Sequence, residues 1–378
     1  MMPKKILLVV RWPVGGIRTY MRYVYTKMDK DKYSFTVIGP DISEFEVLAS
    51  DLERINAKYV PVNTRGFYGR FIKKIFAELV FGNYDLVHSH GFTSGVLTSP
   101  IASIARTPHV MTSHDVLRTH QFKGLRGYFK KLVLSTVLPL IDAIQSVSHD
   151  AEQNLVEFIP KLKRHPQKLL VIPNGIEIER FADITSRPLR KELGLPDDTF
   201  LIGFLGRFMS QKGFDVLVDA VELLSQENGL PKVPIVIGVG SGGFFREDQQ
   251  MMLERNLGHY FRFIKFEANI ASLLSGLDLV VMPSRWEAAG LVAMEALVAG
   301  IPLIGTNCLG LREVLANTPA TVVEVDNAKQ LARAMIDYME TPKKEYFKNF
   351  VEEAKQRFNA ANTAYTLESL YNRLFKDE

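Results

Sequence analysis

Short runs of apolar residues alternate with longer amphipathic stretches along the whole chain. The runs that predict strands in the first half are Lys5–Val10, Ser34–Ile38, Leu86–His88, His109–Thr112, Ile144–Val147 and Leu169–Ile172. Those in the second half are Phe200–Leu205, Ile235–Gly238, Phe261–Ile264, Leu279–Met282, Leu303–Gly305 and Thr321–Val323. Continuous apolar runs separated by segments of helical length are typical of parallel sheets covered by helices on both faces. Two such series predict an α/β protein with two Rossmann-like, doubly wound domains that face each other across a central cleft.

The boundary between the two series is marked by turn residues at Pro173–Gly175. We therefore predict an N-terminal domain over residues 1–173 and a C-terminal domain over residues 174–358. Apolar residues at helical spacing predict that the tail is helical, with a break at Asn359–Asn362. A helix over about residues 359–378 could return to the first domain.

Composition narrows the class of protein. The chain has 378 residues, more than one ordinary domain, and its single cysteine excludes a disulfide framework and a cysteine-rich metal site. Arg11 interrupts the first apolar run, so the N-terminus does not resemble a signal peptide, and no apolar window has the length of a membrane span. These features predict a cytoplasmic protein.

Positive charge is concentrated in the first half of the chain. Residues 1–180 contain 25 Lys and Arg against 16 Asp and Glu, a balance of +9, within a net charge of +4. Basic and aromatic residues interleave over 68–76 and 122–131, as in helices that lie on a membrane surface. We expect an anionic partner, such as the inner face of the plasma membrane; the alternative is helices with a buried apolar face and a solvated basic one. No recognition motif accompanies the charge, so we expect no nucleic acid.

The strongest candidate for chemistry is the segment Pro283–Ala296, which follows a predicted strand and opens a helix. Ligands of open parallel sheets bind at the carboxyl ends of strands, and amides at a helix N-terminus favour phosphate. The amides of Gly290–Val292 are therefore candidate phosphate ligands. The carboxylates of Glu287 and Glu295 could each accept two vicinal hydroxyls of a ribose or hexose. The alternative is a pair of ordinary glutamates on a helix surface.

Two further strand ends carry candidate phosphate contacts. Arg207 and Lys212 lie in a glycine-bounded loop, where two cations could clamp a diphosphate. Gly15 and Gly16 follow the first strand, before a helix expected from Thr19, and paired glycines let the backbone approach a ligand closely. The alternatives are a solvated basic loop and an ordinary tight turn.

Three histidines lie at the ends of two predicted strands of the first sheet, and so at the same rim of that domain. His88 falls within its strand and is predicted to belong to the core. His90 and His114 are the better candidates for a functional role, with a structural role as the alternative.

Two short motifs are typical of other kinds of site, a dinucleotide-binding loop and a metal site. Gly238–Gly243 has the G-x-G-x-x-G spacing of a dinucleotide-binding loop. It follows the second strand of its series instead of the first, and the next strand ends in Lys265 without an acidic residue for a ribose, so a sugar-nucleotide loop is the better interpretation. Asp29–Asp31 has the D-x-D pattern of metal-dependent glycosyltransferases but precedes a strand, so we interpret it as a solvated helix end and expect no metal.

Together these residues resemble glycosyltransferase family 4, over nearly the whole chain. The motifs that carry the resemblance are Gly15-Gly16, Asp85–His90, Val171–Ile176 with Phe181, Gly206-Arg207 with Lys212-Gly213, Pro283-Ser284, Glu287 with Glu295-Ala296, and Ala299–Pro302. One residue departs from the pattern: many members have Phe where this chain has Ala289, which leaves the donor sugar undefined.

The resemblance implies a GT-B fold and retention of anomeric configuration. By resemblance, Arg207 and Lys212 hold the donor phosphates, and Gly16 with the amides of Gly290, Leu291 and Val292 faces the same diphosphate. Glu295 would take the ribose hydroxyls and Glu287 the donor sugar. His114 would lie near the acceptor and the reacting carbon. The segment Phe263–Lys265, centred on Ile264, is where the family contacts the base.

The function implied is a retaining transfer of a hexose-type sugar from a nucleotide diphosphate donor to a glycan or lipid-linked acceptor. Cell-surface polysaccharide or glycolipid biosynthesis is the expected context, with no metal or other cofactor. Front-side displacement through an oxocarbenium-like state is the expected mechanism. Two alternatives remain: an NAD-dependent oxidoreductase, based on Gly238–Gly243, and a noncatalytic protein that binds sugar nucleotides.

Overall fold

The computed structural model describes residues 2–64, 68–182, 184–240, 242–243, 245–264, 267, 269–341 and 343–375. The chain divides into two compact units. The first comprises Met1–Gly175 and Ala360–Glu378, and the second comprises Ile176–Asn359.

Among the described residues, the first unit contains a seven-stranded parallel sheet in the order β3-β2-β1-β4-β5-β6-β7. Its strands are β1 (Lys4–Val10), β2 (Tyr33–Pro40), β3 (Lys58–Val62), β4 (Leu86–His90), β5 (His109–Ser113), β6 (Ala143–Ser146) and β7 (Leu169–Val171). The helices between them are α1 (Gly15–Tyr25), α2 (Ser43–Asp51), α3 (Gly69–Phe81), α4 (Phe92–Ala105), α5 (Gly124–Val137) and α6 (His149–Phe158).

The described part of the second unit contains a six-stranded parallel sheet in the order β10-β9-β8-β11-β12-β13. Its strands are β8 (Phe200–Leu205), β9 (Pro234–Val239), β10 (Phe261–Ile264), β11 (Leu279–Met282), β12 (Leu303–Thr306) and β13 (Thr321–Val323). Its helices are α7 (Leu189–Glu192), α8 (Phe214–Gln226), α9 (Phe245–Glu254), α10 (Ile270–Ser275), α11 (Leu291–Val298), α12 (Leu311–Leu315), α13 (Ala328–Glu340) and α14 (Lys344–Arg357).

The twelve predicted strands are all present, which confirms the α/β class with two parallel sheets. The sequence pattern missed β3, at the edge of the first sheet. Pro61 interrupts its apolar residues, and only an edge strand tolerates the loss of a backbone donor.

The last helix, α15 (Ala360–Leu374), packs on the first unit, as predicted. Leu367, Leu370 and Tyr371 belong to the same buried cluster as Ile6 of β1 and Phe35 of β2. This helix therefore completes the core on one side of the first sheet, although the whole second unit precedes it in the chain. No helix in the described ranges is both long and apolar enough to cross a bilayer.

In both sheets the strand order reverses beside the first strand of the unit. The reversal lies between β1 and β4 in the first sheet and between β8 and β11 in the second. The loops after these strands sit at topological switch points, where doubly wound sheets bind their ligands.

Candidate functional site

Two loops at the switch point of the second sheet are packed against each other. The loop Gly206–Gly213 follows β8, and the loop Pro283–Gly290 follows β11. Gly213 has a φ of +64°, and a Cβ atom there would lie 2.0 Å from the carbonyl oxygen of Pro283. Only glycine fits this contact, so the predicted basic loop and the predicted acidic loop form one surface.

Arg285 joins this pair of loops by hydrogen bonds, a role that the sequence did not predict. Its guanidinium makes two hydrogen bonds to Asp215, of 3.0 and 2.6 Å, and one of 2.6 Å to Asp326. Its amide donates to the carbonyl oxygen of Gln211, and the Gln211 side chain donates to the carbonyl oxygen of Trp286. Hydrogen bonding to Asp215 raises the pKa of Arg285 further above its usual value. Its two aspartates lie far away in sequence, so no local signal identified this brace.

The Lys212 ammonium and the Glu287 carboxylate form an ion pair of 2.6 Å. The Glu287 side chain is only 8% exposed, and the same carboxylate oxygen accepts a hydrogen bond of 2.8 Å from the Ser284 hydroxyl. Thr306 in turn donates to the Ser284 carbonyl oxygen. A lysine has three N–H donors, so the contact with Glu287 leaves Lys212 able to bind a phosphate as well.

Arg207 is the second cation of this site and is also available to a ligand. Its side chain is exposed, and it makes no ion pair with any residue in the described part of the chain. The preceding Gly206 has a φ of +143°, a conformation that L side chains rarely adopt. Glycine therefore lets the chain turn sharply out of β8 and present Arg207 at the rim.

The N-terminus of α11 lies at the same rim, where the N-cap residue is Gly290, with a φ of +63° and no side chain to cap the first amides. Leu291 and Val292 are half-buried there. Glu295 lies one turn further along and is buried, as is Ala289. An unfilled helix N-terminus beside a lysine and an arginine favours a bound anion.

The G-x-G-x-x-G segment has a packing role in this fold. A Cβ atom at Gly240 would lie 2.0 Å from the Gly206 carbonyl oxygen, and one at Gly242 would lie 2.2 Å from that of Phe208. Gly240 and Gly242 therefore let two backbone segments touch, whereas the last glycine of the pattern, Gly243, has open space around a Cβ atom. The Gly240 amide also donates to the carbonyl oxygen of Ile264, at 3.3 Å. Ser241 and Lys265 lie outside the described residues.

The predicted loop at Gly15 and Gly16 is instead the first turn of a helix. The expectation that the helix begins at Thr19 was wrong, because α1 begins at Gly15. Gly15 has a φ of +53°, and the space around a Cβ atom at Gly16 is empty. Glycine at position 16 is therefore not required by packing, and its amide lies in the first turn of α1, where amides have no acceptor within the helix.

His88, His90 and His114 of the first unit belong to one hydrogen-bonded group. His90 Nδ1 lies 2.9 Å from His114 Nε2, and the rings of His88 and His90 stack with centroids 4.5 Å apart. Tyr20 of α1 packs edge-on against His114 at 4.8 Å. Burial lowers the pKa of His88 and His90 well below the usual value and that of His114 to about 3, so all three are neutral.

The D-x-D sequence lies at the opposite end of the first sheet. Asp29 accepts a hydrogen bond from the Asp31 amide and pairs with Lys32, in the exposed turn that leads into β2. Across the described ranges, no group of three or more His, Cys, Asp and Glu side chains is arranged to hold a metal ion.

Comparisons with known proteins agree with this architecture. A family model described as Glycosyltransferase Family 4 matches residues 14–180, and one described as Glycosyl transferases group 1 matches residues 185–357. D-inositol 3-phosphate glycosyltransferase of Corynebacterium jeikeium is 26% identical over 285 residues, which are 72% of this chain and 68% of that protein. UDP-Gal:alpha-D-GlcNAc-diphosphoundecaprenol alpha-1,3-galactosyltransferase of Escherichia coli is 29% identical over 60% of both chains.

Solved structures show the same fold. HepE of Anabaena, crystallised with UDP and glucose, has a TM-score of 0.83 and 21% identity, covering 98% of this chain and all of its own. WaaG, a glycosyltransferase involved in lipopolysaccharide biosynthesis, has a TM-score of 0.72 at 16% identity over 99% of this chain and 100% of its own. The protein is therefore a glycosyltransferase with the GT-B fold. The chain belongs to glycosyltransferase family 4, and the oxidoreductase and noncatalytic alternatives are not favoured.

Proposed function

We propose that this enzyme transfers a hexose from a uridine diphosphate sugar to a glycan or lipid-linked acceptor, with retention of anomeric configuration. The observation that carries the proposal is the switch point of the second sheet. There Lys212 pairs with the buried carboxylate of Glu287, Arg207 lies exposed in the loop of Lys212, and the loop of Glu287 leads into the N-terminus of α11. Cations and amides suit a diphosphate, and a buried carboxylate suits sugar hydroxyls.

The uridine diphosphate and the acceptor class are supported by the relatives. HepE binds UDP and glucose, and the Escherichia coli relative uses UDP-Gal with a diphosphoundecaprenol acceptor. With a lipid-linked or polysaccharide acceptor, the enzyme would act in the assembly of a cell-surface glycan.

Each site residue receives a role in this proposal. Arg207 and Lys212 bind the two phosphates together with the amides of Gly290, Leu291 and Val292. Glu295 binds the ribose, Glu287 the donor sugar, and the backbone near Ile264 the base. His114 donates or accepts a hydrogen bond near the reacting carbon.

The proposed mechanism is front-side displacement. As the bond between the anomeric carbon and the leaving phosphate lengthens, negative charge grows on that phosphate, and Arg207 and Lys212 stabilise it. The departing phosphate then takes the proton of the attacking hydroxyl on the same face of the sugar, which yields retention. Preorganised charges of this kind supply most of the stabilisation in many enzymes.

Glycosyl transfer is expected to survive removal of divalent metal ions. Two protein cations and a helix N-terminus take the place of a metal at the diphosphate, and Asp29–Asp31 lies at the wrong end of its sheet. Activity should be measured after dialysis against EDTA and again after adding manganese or magnesium. Full activity in EDTA supports this mechanism. Complete loss with restoration by either metal would contradict it.

We also propose that the protein binds peripherally to an anionic membrane surface, and the evidence for this is helix α5. Its apolar residues Leu125, Tyr128, Phe129, Leu132 and Val133 are 43–73% exposed. At 3.6 residues per turn they form one stripe on the side opposite Gly127 and Leu134, the two buried residues of the helix. The basic residues of the helix that flank this stripe are Arg126, Lys130 and Lys131, and all three are exposed.

Helix α3, the other segment in which basic and aromatic residues interleave, directs its apolar residues differently. In α3 the residues Phe71, Ile75 and Leu79 are buried, so much of its apolar face serves the core. In α5 the apolar stripe faces outward between cations, as in helices whose rings lie at the headgroup level. Each lysine or arginine near an anionic leaflet contributes about 1 kcal/mol, so these three in α5 add to the apolar stripe and give reversible binding.

Replacing both Tyr128 and Phe129 with serine is therefore expected to abolish binding to anionic vesicles. Sedimentation with vesicles of anionic or neutral lipid, at low and high salt, measures this. Tyr365→Ser is the matched control, because Tyr365 is 74% exposed on α15 and lies outside the stripe. Equal and negligible binding of the unchanged protein to both kinds of vesicle would refute the membrane location.

The donor is tested by thermal shift with a panel of nucleotide sugars, followed by transfer or hydrolysis assays with the best of them. The expected result is stabilisation by a UDP-hexose and release of UDP, with the product keeping the anomeric configuration of the donor. Stabilisation by another nucleotide only, or an inverted product, would reject the proposal.

A further inference from the structure

Hydrogen bonds connect the C-terminal helix with His114 through the interior of the first unit. Tyr371 Oη lies 2.6 Å from His88 Nδ1, and Tyr25 Oη lies 3.0 Å from the same nitrogen. Tyr25 Oη also lies 2.7 Å from His90 Nε2. His90 Nδ1 then reaches His114 Nε2 at 2.9 Å. Each of these contacts needs one proton, so the position of one proton constrains the next.

The direction of this network is set at a backbone carbonyl group. The Gln145 side-chain nitrogen donates to the carbonyl oxygen of Ile172 at 3.4 Å. The side-chain oxygen of Gln145 therefore faces Thr112. The Thr112 hydroxyl must then donate its single proton to Gln145, at 2.8 Å. His88 Nε2 lies 2.7 Å from the Thr112 oxygen and must be the donor in that contact.

His88 is neutral, so with a proton on Nε2 its other nitrogen, Nδ1, carries only a lone pair. Tyr371 lies 2.6 Å from that nitrogen, a distance that requires a proton between the two atoms, so Tyr371 donates to His88. Burial raises the pKa of Tyr25 and Tyr371 well above the usual value, and both keep their protons. The one lone pair of His88 Nδ1 is thus occupied.

The proton of Tyr25 has two remaining acceptors. One is His90 Nε2 at 2.7 Å, and the other is the Tyr371 oxygen at 3.4 Å, which is long for a hydroxyl hydrogen bond. Tyr25 therefore donates to His90 Nε2. Neutral His90 then carries its proton on Nδ1 and donates it to His114 Nε2.

We infer that this network holds His114 as the tautomer protonated on Nδ1, and that Tyr371 and Tyr25 are positioning residues for it. Nδ1 of His114 has no hydrogen-bond partner among the described residues, so it presents an N–H to a ligand. In this state His114 is a hydrogen-bond donor to a substrate oxygen and cannot accept the proton of the attacking hydroxyl through that nitrogen. The catalytic role of His114 rests on the proposed function, whereas its tautomer follows from the hydrogen bonds alone.

The tautomer is measured directly by nitrogen NMR of the protein labelled with ¹⁵N-histidine, since protonated and unprotonated ring nitrogens resonate far apart. His114→Gln identifies the His114 signals. The unchanged protein is expected to show His90 and His114 protonated on Nδ1 and His88 on Nε2. Observation of His114 protonated on Nε2 would overturn the inference without any variant.

Tyr371→Phe supplies the second arm of the test. Without the Tyr371 hydroxyl, His88 Nδ1 is free to accept the proton of Tyr25, and both His90 and His114 should switch to the Nε2–H form. Turnover is expected to fall about tenfold with the KM for the donor unchanged, because a positioned hydrogen bond is lost in the transition state. Tyr33→Phe is the matched control, since the Tyr33 ring lies 6.1 Å from that of Tyr371 but its hydroxyl contacts Asn372.

The outcomes separate the two proposals. Failure of Tyr371→Phe to change the tautomers would overturn the network, and a change of tautomer with unchanged turnover would overturn the positioning role. If no nucleotide sugar is a donor while the tautomers are as stated, the proposed function fails and the network stands.

Discussion

Replacing Arg207 with alanine is expected to lower kcat/KM by a factor on the order of 10²–10³, the usual effect of losing one well-placed charge at a developing anion. Arg207 is exposed and makes no ion pair with a described residue, so its removal costs the fold little. Steady-state kinetics with the best nucleotide sugar measure the effect. Arg333→Ala is the matched control, because Arg333 is an exposed arginine on α13 in the same unit.

Lys212→Ala tests the second cation and requires a stability measurement beside the kinetics. Removing this ammonium leaves the Glu287 carboxylate buried, with the Ser284 hydroxyl as its one hydrogen-bond donor among the residues that the structure describes. We expect a loss of roughly 3 kcal/mol in the free energy of unfolding, at the low end for buried pairs because Lys212 is 19% exposed. Activity should fall as strongly as for Arg207→Ala. Wild-type kinetics in both Arg207→Ala and Lys212→Ala would show that the donor site lies elsewhere.

Glu287→Gln and Glu295→Ala are expected to affect different kinetic parameters. Glutamine at position 287 keeps the shape of the side chain but removes the charge that faces the donor sugar, so kcat should fall by about 10²-fold with little change in nucleotide affinity. Alanine at position 295 removes the proposed ribose contact, so UDP affinity should fall roughly 10–100-fold, the value of a charged hydrogen bond or two. Calorimetric titration of UDP beside steady-state kinetics separates the two effects.

Glu353→Gln serves as the control for both, because Glu353 is an exposed carboxylate on α14. The reverse pattern, with Glu287→Gln weakening UDP and Glu295→Ala slowing turnover alone, would exchange the two roles. Equal kinetics and equal UDP affinity in all three variants would show that neither carboxylate belongs to the site.

Much of the fold follows from the sequence because parallel strands buried on both faces leave an unbroken apolar run. The two exceptions have local causes. Strand β3 lies at a sheet edge and contains Pro61, so its apolar residues do not form such a run. The start of α1 was placed at Thr19 instead of Gly15 because glycine is a poor helix former, whereas the first turn of a helix tolerates it.

The candidate site was less predictable because its contacts join distant parts of the chain. The loops of Lys212 and Glu287 were each identified as strand ends, but nothing in the sequence indicated that these two residues form an ion pair with each other. Arg285 was missed because Asp215 and Asp326 lie far from it in sequence. Tyr371 reaches His88 across 283 positions, a separation that no periodicity reveals.

The central claim is that the switch point of the second sheet binds the diphosphate of the donor, and calorimetric titration of UDP and of uridine tests it most directly. The unchanged enzyme should bind UDP more tightly than uridine. Arg207→Ala should remove most of that difference while uridine affinity stays the same, because only the diphosphate meets the guanidinium. Unchanged UDP affinity in Arg207→Ala, or an equal loss for UDP and uridine, would contradict the assignment of this site.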